Sequence, residues 1–242
     1  MVSIVMPAYN EEQALPHSLN ALFRQEGTYE VVLVDGGSSD RTRAIAESFG
    51  FTAEADDRHG CPSVPRSPRL ILTASKGRAS QMNAGAKVAQ GEWLLFLHAD
   101  TVLPTGAIRR LNAMHADQAI QAGGFRHQFS GTDWRLRLIS FLDNLRCRCS
   151  RIIYGDQALF VRRTLFEHIG GFPNQPILED VAICERLLKL TRPVLLSPPV
   201  VTDARKFVKM GVWHSFVRVL LIILHVEFGL PILPRSFFQE IR

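Results

Sequence analysis

Three polar segments, Pro7-Ala-Tyr-Asn-Glu11, Asp35-Gly-Gly-Ser-Ser-Asp40 and His98-Ala-Asp-Thr101, each follow directly on an apolar run. In open α/β sheets ligands bind where parallel strands end, so this order predicts one polar edge assembled from three strand ends. A single acid after a strand is commonly a turn former; three in succession point to a site. Asp35 offers a carboxylate that can accept hydrogen bonds from a base or a ribose, and Gly36 and Gly37 let the chain bend beside a planar ligand. Asp100 follows the strongest apolar run. A hard divalent cation held there by one or two carboxylates would take its other ligands from phosphate and water, the arrangement a departing diphosphate requires. Lys76 and Arg78, flanking Gly77, can add positive charge to the same phosphates, although simple solvent exposure also accounts for them. Glu179 and Asp180 supply two adjacent carboxyls, which taken alone read as a favourable helix start. Asp156, in Tyr154-Gly-Asp-Gln157, fits a turn and an orienting group equally well.

The elements that must carry these residues follow from hydrophobic period. Residues 3–6, 31–34 and 93–97 are short apolar runs bounded by polar or turn residues, and they predict buried parallel strands. Leu15, Leu19, Leu22 and Phe23 recur at helical spacing, with Pro16 tolerated in the opening turn. Asp40 can cap a second helix that buries Ala44, Ile45 and Phe49. Residues 55–68 hold three prolines and predict a loop before a strand at 70–73. Ala79, Met82, Ala86 and Ala89 define a helix face, giving an alternating α/β first half. Past residue 120 the spacing predicts a strand at 124–129, a helix carrying Trp134, Leu138, Leu142 and Leu145, and a strand at 158–161. A helix at 180–190 follows, with Val181, Cys184, Leu187 and Leu188 on one face.

No linker-like shift of composition divides the chain, so residues 1–242 read as one domain. Residues 1–120 form its ligand half, 121–210 an acceptor half and 211–242 an apolar helical segment. The net charge of +5 suits a phosphate-bearing ligand or an anionic surface and is too small for duplex DNA. Between Arg135 and Arg163 seven arginines face only Asp143 and Asp156, so this stretch alone matches that net charge. It is read equally as a solvated helix face and as an anion site. Cys61, Cys147, Cys149 and Cys184 lack the paired spacing of a zinc site and predict reduced thiols in a cytoplasmic protein. The opening residues lack a basic segment followed by a long apolar core, so a strand is expected rather than a signal peptide. Residues 219–224 are strongly apolar but are bracketed by Arg218, His225 and Glu227, well short of the roughly 20 residues a bilayer span needs. A buried helix is expected there; an interfacial helix flanked by Trp213, Arg218 and Phe228 stays open, and with it contact with the inner face of a membrane.

Taken together, Pro7-Ala-Tyr-Asn-Glu, Val34-Asp-Gly-Gly-Ser-Ser-Asp-Arg-Thr42, Leu97-His-Ala-Asp-Thr101 and Leu178-Glu-Asp-Val181 resemble the successive motifs of family 2 glycosyltransferases. Lys76-Gly-Arg-Ala-Ser-Gln-Met-Asn-Ala-Gly85 and the His-Ala-Asp-Thr form look closer still to a bacterial branch named for its association with radical-SAM and selenium-related proteins. The resemblance runs from Val2 to about Phe207. It implies a GT-A fold, a Rossmann-like α/β domain whose mostly parallel mixed sheet is flanked by helices. It implies inverting transfer from a nucleoside-diphosphate sugar, UDP- or GDP-linked, to an acceptor hydroxyl on a lipid or glycan, with Mn2+ or Mg2+ as cofactor.

Carried over by position, the resemblance assigns donor binding to Pro7, Ala8, Tyr9, Glu11, Asp35 and Gly36, joined by Lys76, Arg78 and Asn83. Asp100 matches the last acid of the metal-binding DxD motif, with His98 where its first aspartate usually stands. A softer His98 ligand would shift preference toward manganese; otherwise Asp100 holds the ion alone among protein groups. Asp180 matches the proposed catalytic base, with Glu179 and Asp156 as positioning groups. Arg205 and Lys206 sit where relatives carry a basic-aromatic pair near the diphosphate, Phe207 replacing the usual tryptophan. Two other classes are weighed against this. A sugar-phosphate nucleotidyltransferase would want a GxGTR-like turn after the first strand, which Pro7-Ala-Tyr-Asn lacks. A non-catalytic nucleotide-sugar-binding or membrane-adaptor module is suggested by the arginine-rich segment and the apolar C-terminal stretch.

Overall fold

The computed structural model describes residues 1–53, 69–175 and 177–226. The predicted loop at 55–68, Cys61, and residues after Val226, including Glu227 and Phe228, lie outside the described residues. In chain order the strands are β1 (Val2–Ala8), β2 (Tyr29–Asp35), β3 (Thr52–Ala53), β4 (Arg69–Thr73), β5 (Trp93–Phe96), β6 (Thr101–Val102), β7 (Ala122–Phe129), β8 (Phe160–Arg162) and β9 (Val194–Thr202). The helices are α1 (Leu15–Leu22), α2 (Thr42–Ser48), α3 (Arg78–Val88), α4 (Ala107–Ala113), α5 (Trp134–Ser150), α6 (Arg163–His168), α7 (Glu179–Leu188), α8 (Arg205–Lys209) and α9 (Val212–Val226).

Among the described residues the strands form one nine-stranded sheet, ordered β3-β4-β2-β1-β5-β8-β7-β9-β6. The five strands from β3 to β5 run parallel, β8 pairs antiparallel with both β5 and β7, and β9 is parallel to β7. Every residue of β1 is buried because both faces of the sheet are covered. Ile4, Met6 and Ala8 point into a layer with Leu15 and Leu19 of α1 and Ile108 of α4. Val5 points the other way, against Met82 of α3 and Val181 of α7. Strand register then positions the polar edge. Ala8 lies opposite Asp35 and Asp35 opposite Thr73, so β1, β2 and β4 end at one level. Leu97 donates its N–H to the Val5 carbonyl at 3.0 Å, which continues β5 toward the same edge.

Several elements differ from the expectation. In α2 the buried residues are Thr42 and Ala46; Ala44 is exposed, while Ile45 and Phe49 are half-buried against the core. Asp40 joins the turn before that helix, accepting from the Thr42 N–H at 2.9 Å and the Glu12 N–H at 3.1 Å, rather than serving as its N-cap residue. Leu188 turns outward at the end of α7. The ninth strand carries Ser197-Pro198-Pro199, a composition that reads as a break and not as a strand.

Helix α5 forms as expected, and its large apolar residues face outward. Trp134, Leu138, Leu142 and Leu145 are all exposed, and the helix seats on β7 through Leu136 and Ile139 together with two polar side chains. Asn144 accepts from the His127 N–H and donates to the His127 carbonyl, both at 2.8 Å, and Ser140 Oγ accepts from the Phe129 N–H at 3.1 Å. These amide and hydroxyl groups complete the backbone hydrogen bonding of β7 as a neighbouring strand would.

Helix α3 approaches the sheet closely at Gly85, where a Cβ would lie 2.5 Å from Val5 Cγ1 and 2.9 Å from Val34 Cγ2. Both obstacles are branched core side chains, so overpacking dominates. Gly85→Val is expected to lose at least about 2 kcal/mol of stability in urea unfolding, and an unchanged midpoint would show that α3 does not rest this tightly on β1 and β2.

Candidate functional site

The sheet edge collects most of the anticipated residues. Pro7 and Ala8 end β1 and Asp35 ends β2, all three buried. Asp35 Oδ1 accepts from the Ser38 N–H at 3.0 Å and the Ser38 hydroxyl at 2.6 Å, which fixes the Asp35-Gly-Gly turn. Beneath that turn lies Gln81 of α3, a residue that spacing did not single out. Its amide donates to the Ala8 and Val34 carbonyls at 2.8 Å each, and a Cβ on Gly36 would meet it at 3.0 Å. Tyr9 is 38% exposed, and the Lys76 ammonium sits 4.1 Å from its ring centroid, a cation–π contact that leaves a flat, charged wall beside Asp35.

A chain of ionic contacts joins the first strand end to the third. Lys206 Nζ lies 2.6 Å from Glu11 Oε1 and 3.3 Å from Asp100 Oδ2, while Arg205 Nη2 lies 3.1 Å from Glu11 Oε2. Helix α8 delivers both cations because β9 pairs with β6 just after Asp100, and the Asp203 N–H donates to the Asp100 carbonyl at 3.0 Å. Burial opposes ionisation of Asp100, but the Lys206 ammonium, which also donates it a hydrogen bond, and the Arg78 charge hold the carboxyl below its usual range. Burial, reinforced by the Arg78 charge, pushes the His98 pKa down to about 3, so its imidazole is neutral at physiological pH. Arg78, exposed at the start of α3, also acts on Asp100 and Glu179.

His98 lines a small cavity with Met82, Phe172, Gly155, Glu179 and Asp180. The two acids open α7 after Leu178, whose φ of 59° turns the chain in a conformation uncommon for a leucine. Asp180 Oδ2 accepts from the Gly155 N–H at 2.9 Å and Oδ1 from the Val181 N–H at 2.9 Å. Burial, and then the neighbouring Asp180 charge, raise the Glu179 carboxyl above its ordinary range. The acid pair therefore places a carboxyl raised above its ordinary range beside Asp180 at one cavity.

Behind Asp180 stands a polar cluster that the spacing had not revealed. Asp156 Oδ2 lies 3.6 Å from His127 Nε2, and Asp143 Oδ2 lies 3.6 Å from His127 Nδ1. His127 is buried, and among the described residues neither ring nitrogen has a hydrogen-bond partner, since 3.6 Å exceeds a true bond. Arg146 pairs with Asp143 at 2.9 Å and covers the ring of Tyr154 at 3.7 Å. Two members of the seven-arginine stretch are thus structural: Arg146 here, and Arg162, paired with Glu92 at 2.5 Å. Burial is the main cause that raises the Asp156 carboxyl, opposed by His127 and aided by Asp143 and Asp180.

One anticipated residue does not join the site. Asn83 spends its amide on Phe172, donating to its carbonyl at 2.8 Å and accepting from its N–H at 2.9 Å, so it braces the turn at Gly171 instead of facing a donor. The described residues contain no group of three or more His, Cys, Asp and Glu side chains arranged to hold a metal ion. The neutral His98 and the ionised Asp100 are nevertheless donors that suit an ion taking most of its ligands from phosphate and water.

The sequence pattern described as Glycosyl transferase family 2 matches residues 3–170. The chain belongs to that family. A PGL/p-HBAD biosynthesis glycosyltransferase of Mycobacterium bovis is 33% identical over 186 residues, covering 71% of this chain and 63% of that protein. The undecaprenyl-phosphate 4-deoxy-4-formamido-L-arabinose transferase of Pseudomonas paraeruginosa is 33% identical over 175 residues, 69% of this chain and 48% of its own length. The family 2 chain thus spans between about half and two thirds of these relatives. Among solved structures, S. aureus TarS with UDP-GlcNAc aligns with a TM-score of 0.60 at 18% identity, covering 84% of this chain and 58% of that one. A Pyrobaculum calidifontis mannosyltransferase with GDP-Man and Mn2+ aligns with a TM-score of 0.57 at 21% identity, covering 84% and 56%. The fold is accordingly that of a GT-A domain, as the sequence implied.

Two outcomes test the geometry of this family 2 site. A Cβ at Gly155 would lie 2.4 Å from the His98 ring, so Gly155→Ala is expected to displace the imidazole, read as a shifted His98 Cε1–H resonance with the fold retained. An unmoved resonance would contradict the contact. Asp156 titrates above its unfolded value near 3.8, so the folded state keeps a proton that the unfolded chain releases. The stability this contributes is present below about pH 4 and is lost as pH rises through the folded pKa. Asp156→Asn is therefore expected to gain on wild type in thermal melts as pH increases above about 4; a constant difference across that range would refute the raised carboxyl.

Proposed function

We propose that this family 2 chain is an inverting, metal-dependent glycosyltransferase moving a sugar from a UDP- or GDP-sugar to an acceptor hydroxyl. The observation that carries the reading is the cavity where Asp180, held by the Gly155 N–H, opens beside His98, while Lys206 ties Asp100 to Glu11. A leaving-group site and a base thus adjoin. The relatives support the chemistry: one solved neighbour carries UDP-GlcNAc and another GDP-Man with Mn2+.

In this reading Tyr9, under Lys76, and the buried Asp35 turn bind the nucleoside, with Pro7, Ala8 and Gly36 forming its floor. Arg205, Lys206 and Arg78 neutralise the diphosphate, and Glu11 keeps the first two aimed at it until donor arrives. His98 and Asp100 are the residues that would hold Mn2+ or Mg2+, and the ion, when bound, stabilises charge on the departing diphosphate. Asp180 accepts the proton of the acceptor hydroxyl as it attacks the anomeric carbon from the opposite face, which inverts that centre. Glu179, whose burial favours the neutral form, donates a hydrogen bond to the acceptor, and Asp156 follows Gly155 in the short turn whose N–H orients Asp180.

The Pseudomonas relative is named for an undecaprenyl-phosphate acceptor, which supports a lipid-linked acceptor here over a soluble glycan. Lys76 to Gly85 and the His98-Ala-Asp-Thr101 form favour the radical-SAM-associated bacterial branch and, with it, a cytoplasmic site of action.

Asp180→Asn keeps shape and removes the base, so kcat is expected to fall about 100-fold or more while the donor KM holds. Wild-type turnover by a folded Asp180→Asn protein would end the assignment. Asp100→Asn is expected to raise the Mn2+ concentration required for turnover, whereas an unchanged requirement would place the ion elsewhere.

A further inference from the structure

The outward face of α5 has no counterpart in the transfer chemistry. Trp134, Leu138, Phe141 and Leu145 recur at i, i+4, i+7 and i+11, so they form one stripe along the helix. Trp134 is 64% exposed and Phe141 60%, values that a soluble surface rarely gives to neighbouring large apolar side chains. Helix α9 repeats the pattern with Trp213, Val217 and Leu220 at i, i+4 and i+7, each exposed. The Trp134 and Trp213 rings meet edge to face with centroids 6.3 Å apart, which joins the two stripes into one surface.

The seating of α5 argues that this orientation is specified. Its inward side is held by Asn144 and Ser140, which bond the β7 backbone, so rotating the helix to bury the leucines would strand those polar groups.

Charge then selects the occupant. Arg137 and Arg148 are exposed beside the α5 stripe, Lys209 is exposed just before α9, and among the described residues none of the three has an ion-pair partner. Asp143 is the one acid in α5 and is paired with Arg146, and no acid occurs between Ala204 and Val226. An apolar stripe carrying tryptophans and rimmed by unpaired cations matches the interface of an anionic bilayer, where aromatic rings sit at headgroup depth and arginines meet phosphates. No helix among the described residues is long and apolar enough to cross a membrane. We infer that the joined faces of α5 and α9 form a peripheral docking surface for anionic membranes, with Trp134, Phe141 and Trp213 entering the headgroup region. This differs from the expectation for residues 219–224 alone, because α5 supplies much of the surface. The inference stands independently of sugar transfer.

The test uses the full chain with vesicles of phosphatidylcholine alone or with added phosphatidylglycerol. The chain is expected to float with the anionic vesicles, with tryptophan emission shifting to the blue and quenched by lipids brominated near the headgroup. Trp93 is buried, so the change reports Trp134 and Trp213. Phe141→Ser with Leu145→Ser is expected to weaken binding at least tenfold, and Arg137→Gln with Arg148→Gln to remove the preference for anionic lipid. Because these substitutions are on the exposed face, circular dichroism and melting temperature should hold; if the apolar pair misfolds, the arginine pair and the wild-type quenching still decide. Absence of flotation, or binding unchanged by both pairs, overturns the inference. So does a dimer in sedimentation that the Phe141/Leu145 pair dissolves, which would assign the face to a second copy. Emission already blue and shielded from acrylamide without vesicles would mean that the rest of the chain covers it.

Discussion

The position of one ammonium organises this molecule. Lys206 stands between Glu11 and Asp100, 195 residues from the first in sequence, and through it helix α8 meets the residues that follow β1 and β5. Ion pairs of this partly exposed kind contribute about 0–1 kcal/mol each, so the contact does not hold the fold together. The sheet does that, by burying β1 and β2 on both faces, and by pairing β6 with β9 it brings residues 205 and 206 to Asp100 before any side chain interacts. What the ammonium adds is placement: two carboxylates that would otherwise repel are held near each other at one edge. In the proposed reaction that edge receives a diphosphate, and the same cations exchange Glu11 for phosphate oxygens.

The second half of the site depends on backbone rather than on charge. The Gly155 N–H aims Asp180, and the missing side chain at Gly155 leaves room for His98. The short helical turn carrying Gly155 rests in turn on Asp156, His127, Asp143 and Arg146, which reach down to the inner side of α5. A continuous path of packed polar groups thus runs from the opening at Asp180 to the helix whose outer face is apolar. The polar cluster behind the proposed base and the surface inferred to meet a membrane lie on the two sides of one helix.

The parallel half was legible in the sequence because strands covered on both faces must be apolar without interruption, and the polar residues after them had nowhere to sit but the edge. Asp35 and Asp100 could be picked out for that reason, whereas Asp180, at the start of α7, stood out only through the family resemblance. The antiparallel half was less legible: β9 is written through Ser197-Pro198-Pro199, and the spacing of the apolar residues in α5 gave the helix without its facing. Its true orientation rests on Asn144 and Ser140 bonding to β7, a tertiary fact that no periodicity encodes. Gln81, His127 and Gly155 were invisible for the same reason, since each matters through what another segment presents to it. Asn83 illustrates the converse, a motif residue whose amide is consumed by the Phe172 backbone.

Calorimetric titration of Lys206→Met against UDP, GDP and the corresponding nucleosides, with Mn2+ present, tests the central claim most directly. Methionine keeps the unbranched shape and most of the length of the side chain and removes its charge. The account predicts that diphosphate affinity falls about tenfold, near 1.4 kcal/mol, while nucleoside affinity is unchanged. Equal losses for both ligands, or none for either, would contradict a site in which this ammonium meets the diphosphate.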